Sequence, residues 1–173
     1  MNSNTNLLET FKNPQLHKKV SIIHIQAIKE NAFLYGTKRF NSSKEASDMV
    51  KELFQYADRE MMVVISLDSQ NGPLAAEIVS IGTLNSCLVQ AREIFKHSIL
   101  YNAASIICIH NHPSGIAEPS KEDILVTKRL EDAGHILGIE LLDHIIIGDS
   151  DTYVSLQERG YMKNTYINSS VLK

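Results

Sequence analysis

The 173-residue sequence contains no tryptophan and only two cysteines, and it lacks any long apolar stretch. Cys87 and Cys108 form neither a CxxC pair nor a disulfide framework, which indicates a reducing compartment. No apolar run approaches the roughly 20 residues that a bilayer span requires. The polar first thirteen residues also lack the apolar core of a signal peptide. We therefore expect a cytoplasmic protein that does not insert into a membrane.

A strong excess of one charge is also missing. Lys and Arg number 17, Asp and Glu number 20, and the formal net charge is −3. Proteins that hold nucleic acid by bulk electrostatics are usually strongly basic, so the charge does not support a nucleic-acid partner, although a local basic patch would be compatible with one. The hydrophobic share of 43% is too high for a disordered chain. The length suits one domain with a single core.

Short apolar runs alternate with segments of helical spacing, which indicates an α/β domain. Asn71-Gly72 predicts a hairpin between two of the strand-like runs. The strand-like runs are 20–27, 61–68, 74–81, 105–109, 139–147 and 153–156. The helical segments are 43–56, 90–101 and the one that Ser120 caps and Gly138 ends. This pattern predicts a mixed central sheet flanked by helices.

One short segment carries most of the chemical information: His110-Asn111-His112 at the end of a predicted strand, followed by Ser120 and Asp123. In an extended backbone, residues two apart project from the same face, so both imidazoles can reach one point. Asp123 lies in the first turn of the next helix, and a loop that folds back would bring its carboxylate to the histidines. Two imidazoles, one carboxylate and an open fourth position form a catalytic zinc site. We interpret Asn111 as a loop-shaping residue.

Such a site also needs a general base and a group that stabilises the oxyanion. The Ser120 hydroxyl is a candidate for the second task. For the base there are two candidate carboxylates. Glu60 precedes the buried strand 61–68, which we expect to neighbour strand 105–109, and Glu93 lies on a helix that runs directly into strand 105–109. Glu60 is the first candidate and Glu93 the second, and the residues alone leave the choice between them open.

Several of these residues also have a purely structural interpretation. Ser120 and Asp123 are a complete helix cap, which is compatible with a role at a metal. Cys108 projects from the same strand face as the histidines, but it sits deeper in an apolar run and is better interpreted as a small buried side chain. Asp143-His144 has no assigned role, since it could lie beneath the metal site or form a polar pair at a strand edge.

The segment HNHPSGIAEPSKED fits the pattern His-x-His-Pro-x6-Ser-x2-Asp of the JAMM (MPN+) metalloprotease motif at all five specified positions. With AREIFKHSILYNAASIICIHNHPSG leading into it and LLDHIIIG after it, the region 41–161 resembles the RadC family, bacterial proteins named for DNA repair. The resemblance implies a JAMM/MPN-like α/β domain whose mixed central sheet is layered between helices, as in cytidine deaminases. An N-terminal arm and first strand would occupy 1–40, and a tail would occupy 162–173.

The resemblance also implies residue roles. One zinc per chain would be held by His110, His112 and Asp123, with Ser120 as the oxyanion helper. The catalytic Glu of the motif usually precedes the first core strand, and Glu60 occupies that place here. The implied activity is hydrolysis of a peptide or isopeptide bond, in a peptide or protein substrate, through a zinc-activated water.

The chain departs from larger RadC proteins, which carry an N-terminal helix-hairpin-helix region that 173 residues are too few to hold. This departure weakens an inherited role in DNA binding. The alternative function is a non-catalytic accessory or binding module in DNA repair or mobile-element biology. Its DNA binding would be steeply salt-dependent and unaffected by chelator.

The sequence also excludes two other classes of zinc enzyme and is compatible with self-association. Zinc deaminases need H-x-E followed by P-C-x-x-C, and thermolysin-like proteases need HExxH; neither pattern occurs in the sequence. Both classes are excluded. Sheet edges of so small a domain can pair between copies, so a homo-oligomer is compatible with the sequence.

Overall fold

The computed structural model describes residues 21–29, 38–82, 90–149 and 151–163. Their helices are α1 (Ser43–Val50), α2 (Ala91–Leu100) and α3 (Lys121–Leu137), and a 3₁₀ turn, Lys51–Phe54, follows α1 directly. Their strands are β1 (Met61–Leu67), β2 (Pro73–Ile81), β3 (Ser105–Asn111), β4 (Glu140–Ile147) and β5 (Tyr153–Ser155). Among these helices, none combines the length and the hydropathy that a bilayer span requires.

The five strands form one mixed sheet in the order β2-β1-β3-β4-β5. Only β3 and β4 pair in parallel, and α3 is the crossover between them. The other neighbours are antiparallel, and the hairpin between β1 and β2 turns at Asn71, whose φ of 62° suits the left-handed region that Asn tolerates. The prediction of a mixed central sheet is confirmed.

Helices cover both faces of the sheet because alternate strand residues bury apolar side chains on opposite sides. On one face, Val63, Ile65 and Ile109 pack with α1. On the other face, Val64 and Cys108 pack with Phe95 of α2 and Leu130 of α3. The predicted layering of sheet between helices is therefore present, and α3 lies on the same face as Cys108.

Some predicted boundaries were wrong. The segment 43–56 is not one helix, because its α-helical part ends at Val50 and continues as the 3₁₀ turn. Strand β3 extends past residue 109 through Asn111, because pairing with both β1 and β4 continues to His110. Residues 21–29 form no strand, although 20–27 was predicted as one. Their apolar side chains are exposed, and β propensity without a face to bury does not make a strand. Cys87 and the end of the tail lie outside the described residues.

Helix α3 begins and ends as its sequence predicts. The Ser120 hydroxyl accepts from the Asp123 N–H, and the Asp123 carboxylate accepts from the Ser120 N–H, which is a reciprocal capping box. At the other end Gly138 adopts a φ of 69°, the left-handed conformation that terminates helices. The cap fixes the direction in which the first turn of α3, and with it Asp123, meets the sheet.

We predict that Gly134→Ala destabilises the fold even though alanine is the better helix former. A Cβ at Gly134 would lie 2.5 Å from the Ile139 carbonyl oxygen and 3.2 Å from Cζ of Phe95. Helix propensity would gain about 1 kcal/mol, whereas overpacking of this kind costs about 1–3 kcal/mol. Urea unfolding followed by circular dichroism should show a lower midpoint. Lys128→Ala, on the exposed face of α3, should stay within about 0.5 kcal/mol of the wild type; a stabilised Gly134→Ala would contradict the packing argument.

Candidate metal centre

Three side chains meet where β3 ends and α3 begins. His110 is the penultimate residue of β3, and His112 follows the strand end, where its N–H donates to the Ile147 carbonyl of β4 at 2.9 Å. That bond keeps the backbone extended, so both imidazoles leave the same face, as predicted. Asp123 comes from the first turn of α3. Their ligand atoms all lie within 4.8 Å of one another, so the group could hold a metal ion.

His110, His112 and Asp123 form a close group that we call the triangle, in which Asp123 presents one carboxylate oxygen to each histidine. His110 Nε2 lies 3.1 Å from His112 Nε2 and 3.2 Å from Asp123 Oδ1, and His112 Nε2 lies 3.4 Å from Asp123 Oδ2. Ligand atoms at 2.0–2.2 Å from a tetrahedral ion would be about 3.3–3.6 Å apart. The spacing therefore fits three ligands of one small divalent ion with little adjustment.

Asp123 and His112 shift each other's pKa at this triangle. Burial alone would raise the pKa of Asp123, but hydrogen bonds from His110 and His112 outweigh it and hold the pKa of this carboxyl well below its usual range. The pKa of His112 is raised, chiefly by its hydrogen bond to Asp123, while burial opposes the rise. The carboxylate is therefore ionised at neutral pH. Because protons compete with a metal for His112, metal affinity should weaken as the pH falls.

The tautomer of His112 follows from its neighbours. Its Nδ1 lies 2.8 Å from the Ile116 carbonyl oxygen, which can only accept, so Nδ1 carries the proton. The opposite nitrogen, Nε2, is the one that faces Asp123, and it can bind a metal through its lone pair once it has lost its proton. The loop after β3 is held in turn by Gly115, whose φ of 80° suits glycine and whose carbonyl accepts from the Asp149 N–H.

Glu60 lies beside the triangle, on the segment that leads into β1. The pairing of β1 with β3 ends at Met62 and His110, so the segment before β1 comes close to the segment that follows His110. The charge of Glu60 contributes, after Asp123, to the raised pKa of His112. The carboxylate is thus within electrostatic reach of the proposed ligands.

The Asn111 side chain holds the backbone on both sides of Glu60. Its Oδ1 accepts from the Met61 N–H at 2.8 Å, and its Nδ2 donates to the Arg59 carbonyl at 3.2 Å. Asn111 stands between the two histidines and is buried. It therefore ties the position of Glu60 to that of His110 and His112, which is a more specific role than the loop shaping expected of it.

Glu93, the other candidate base, has different surroundings. It lies in the first turn of α2, where its exposed carboxylate contacts Lys96 at 3.1 Å and Arg92 at 3.4 Å. The hydrogen bond from Lys96 lowers the pKa of Glu93. These contacts describe a solvated surface charge, and the geometry favours Glu60 as the carboxylate near the triangle.

The Ser120 hydroxyl is occupied within the helix cap. It donates to Asp123 Oδ2 at 2.6 Å, and the same oxygen accepts from the Ser120 N–H at 2.7 Å. This contact orients the carboxylate toward the histidines. The oxyanion role expected for Ser120 stays a prediction, since it requires the hydroxyl to exchange this partner for a substrate.

A buried chain of hydrogen bonds lies behind His110. His110 Nδ1 is 2.9 Å from His144 Nε2, and His144 Nδ1 is 2.6 Å from the Thr127 hydroxyl oxygen. The Thr127 hydroxyl is also 2.7 Å from the Asp123 carbonyl oxygen. His144 is fully buried, and burial lowers its pKa to about 3 with the charge of His110 as a lesser cause. The ring is therefore neutral at neutral pH.

The neighbours of His144 have structural roles. Asp143 projects from the opposite side of β4, where its carboxylate accepts from the Ser155 hydroxyl and the His144 N–H, both at 2.7 Å. Burial raises the pKa of Asp143, although these hydrogen bonds oppose the rise. Cys108 is fully buried in the core, and burial raises the pKa of its thiol. It has the environment of the small buried side chain that was predicted, rather than that of a thiolate ligand.

All the side chains of this centre fall within residues 40–161, which match the family described as the RadC-like JAB domain. The chain belongs to this family. The five-stranded mixed sheet with helices on both faces is consistent with a JAB/MPN-like fold.

Curated relatives of this RadC-like JAB domain occur in distant organisms. A UPF0758 protein of Desulfitobacterium hafniense is 52% identical over 122 residues, which cover 70% of this chain and 53% of the relative. Relatives of the same designation from Staphylococcus carnosus and Methanosarcina mazei are 47% and 43% identical, over 71% and 73% of this chain and 54% and 55% of the relatives. The chain thus spans about half the length of the curated relatives it matches.

Asn111 and Thr127 make contacts at the site that sequence reasoning did not predict, and His144 lies beneath the site, which was one of the two interpretations left open for it. The sequence contains a pattern that could have indicated the positions of Asn111 and Thr127. Asn111 alternates with the histidines on β3 and so must face away from them, toward the start of β1. Thr127 follows Asp123 by four residues and shares its helix face. The contact of His144 with His110 depends on the pairing of β4 with β3, which no local pattern reveals.

Proposed function

We propose that this RadC-like JAB domain is a zinc-dependent hydrolase that cleaves a peptide or isopeptide bond. The observation that carries the proposal is the triangle of His110, His112 and Asp123, in which each pair of side chains brings two ligand atoms within 3.1–3.4 Å of each other. Two imidazoles and one carboxylate suit zinc, whereas calcium and magnesium prefer ligand sets made of oxygen alone. We expect about one zinc per chain.

Zinc held by three protein ligands keeps a fourth position for water or substrate, lowers the pKa of water to about 7 and polarises a carbonyl group. Glu60 would then act as the general base that accepts a proton from the attacking water. The same carboxyl group would return that proton to the nitrogen of the leaving amine. The effect of its charge on His112, and the bonds from Asn111 to the backbone on both sides of Glu60, support this assignment.

For Ser120 we propose two tasks. As the helix cap, it orients Asp123 through the bonds from its N–H and hydroxyl. During the reaction, its hydroxyl would turn to the oxygen of the scissile carbonyl as negative charge develops there. Donors of this kind are worth about 2.7–4 kcal/mol of transition-state stabilisation in other hydrolases.

The function can be tested without knowing the natural substrate. Purified protein would be analysed for metal, stripped with chelator, reloaded with zinc, and incubated with a proteome-derived peptide library and with peptides joined through a lysine ε-amine. Mass spectrometry of new termini should show cleavage by the zinc-loaded protein and none by the stripped protein. Zinc-loaded protein that cleaves neither class would favour the alternative of a non-catalytic binding module.

We predict that Asn111→Ala lowers turnover without removing zinc. The change deletes both bonds that fix the backbone around Glu60 but leaves the ligand atoms in place. A misplacement of about 1 Å can cost about 100-fold in rate, so kcat on a library-derived peptide should fall on that order while metal content stays the same.

Ser114→Ala is the matched control in the same loop, because this hydroxyl only accepts from the Ile116 N–H at 3.4 Å. Its turnover should match the wild type. Full activity of Asn111→Ala would show that Glu60 does not depend on Asn111 for its position.

A further inference from the structure

The hydrogen-bond chain behind His110 consists of four groups in a row. It runs from His110 Nδ1 to His144 Nε2, and from His144 Nδ1 to the Thr127 hydroxyl, which also contacts the Asp123 carbonyl. Thr127 and His144 are fully buried, so water does not substitute for any missing partner. Each contact needs one proton between its two heavy atoms, and each neutral ring or hydroxyl supplies one.

Two proton arrangements are possible for this hydrogen-bond chain, and they differ at His110. In the first, Thr127 donates to the Asp123 carbonyl, His144 donates from Nδ1 to Thr127, and His110 donates from Nδ1 to His144. His110 Nε2 is then bare. In the second, Thr127 donates to His144 Nδ1, His144 donates from Nε2 to His110, and the His110 proton sits on Nε2. Only the first arrangement presents a lone pair to a metal.

The Asp123 carbonyl distinguishes the two arrangements. A carbonyl oxygen only accepts, and this one lies 2.7 Å from the Thr127 oxygen. Within the hydrogen-bond chain, the first arrangement gives every contact a proton, whereas the second leaves the Thr127 and Asp123 oxygens facing each other without one. At the triangle the preference is opposite, because His110 Nε2 lies 3.2 Å from Asp123 Oδ1 and 3.1 Å from His112 Nε2, and only the second arrangement supplies a proton from His110 there. A metal ion would take the place of that proton, so the first arrangement is the one that belongs to the metal-bound site.

We propose that Thr127 and His144 are positioning residues that set the tautomer of His110, so that its Nε2 is free to ligate the metal. Metal ligands of the histidine type usually donate their second N–H to a carboxylate, a backbone carbonyl or water. Here the acceptor is a second imidazole, which can accept only if its own proton is held elsewhere. The Thr127 hydroxyl accepts the hydrogen bond from that proton. Because Thr127 also contacts the Asp123 carbonyl, both ends of the hydrogen-bond chain lie at proposed ligands of the same metal.

The inference rests on the metal site of the proposed function, but it can be tested without turnover. Long-range ¹H–¹⁵N spectra of the histidine rings in zinc-loaded protein at neutral pH report which nitrogen carries the proton. The wild type should show Nδ1 protonated in both His110 and His144. Thr127→Val has nearly the same shape but offers the His144 Nδ1–H no acceptor, so the resonance of that proton should lose its downfield, hydrogen-bonded shift. Thr127→Ser restores the hydroxyl and should restore the wild-type pattern.

Zinc affinity gives the second readout, by competition with a chromophoric chelator. Thr127→Val should bind zinc about 10–100-fold more weakly, the usual effect of losing an outer-shell partner, and Thr127→Ser should bind as the wild type does. Ser66→Ala is the matched control, because it also removes a buried hydroxyl bond, that to Ser98 at 2.8 Å, without touching the chain. Its zinc affinity should not change.

Two results would overturn the inference: a zinc-loaded wild type whose His144 is protonated at Nε2, or a Thr127→Val protein in which the His144 resonance and the zinc affinity are both unchanged. Neither result depends on hydrolysis. A protein that binds zinc and cleaves nothing can still show the predicted tautomers, whereas an active hydrolase can lack them, so the two proposals fail separately.

Discussion

Replacing Glu60 with Gln should lower the rate of peptide hydrolysis by about 10²–10⁴-fold, the range that a general acid–base group contributes. Glutamine keeps the shape of the side chain but accepts no proton at neutral pH. The three proposed ligands are untouched, so zinc should remain at one per chain. The measurement is kcat on a peptide selected from the library, with elemental analysis of the same samples.

Glu93→Gln is the matched control, because it makes the same chemical change at the exposed carboxylate bound by Lys96 and Arg92. Its kcat should equal that of the wild type. The reverse result, with Glu93→Gln inactive and Glu60→Gln active, would identify Glu93 on α2 as the general base. Two active variants would mean that neither carboxylate transfers the proton.

Sequence reasoning succeeded where the geometry is local. The spacing of His110 and His112 depends only on the period of an extended strand, and the position of Asp123 in the first turn of its helix depends only on the cap that Ser120 forms. The buried strands were also predicted, because their apolar runs are nearly continuous. These features depend on residues that are close together in the sequence, so the group that could hold a metal was predictable from the sequence.

Sequence reasoning failed where geometry depends on pairing between distant segments. The contact of His144 with His110 requires the parallel register of β3 and β4. Residues 21–29 show the opposite error, since they have strand composition but no strand. Local preference identifies segments that can pair, whereas tertiary structure decides which of them do.

Replacing Asp123 with Asn should remove most of the metal affinity and, with it, the stabilisation that metal gives the fold. The amide keeps the size of the side chain but loses the charge that both histidines face. Loss of an outer-shell partner already costs about 10–100-fold in affinity, so loss of a charged ligand should cost at least 100-fold. At a free zinc concentration about 1,000 times the wild-type Kd, the wild type gains about 4 kcal/mol, and a 100-fold weaker variant gains about 1.4 kcal/mol.

The same substitution should also weaken the metal-free fold, with a defined dependence on pH. The pKa of Asp123 in the folded state lies below the ~3.9 of an unfolded carboxyl. Its ionised form therefore stabilises the fold above that pH, and the contribution is lost as the pH falls and the folded carboxyl takes up its proton. The stability difference between wild type and Asp123→Asn in chelator should accordingly shrink on acidification.

Urea unfolding at neutral and acidic pH, with chelator and with zinc, separates the two effects. Asp132→Asn is the control, because it removes a carboxylate from the exposed side of the same helix, where it pairs with Lys163. That variant should keep the full zinc-dependent gain. If Asp123→Asn kept it as well, the carboxylate would not be a ligand, and the triangle of His110, His112 and Asp123 would be an ion pair rather than a metal site.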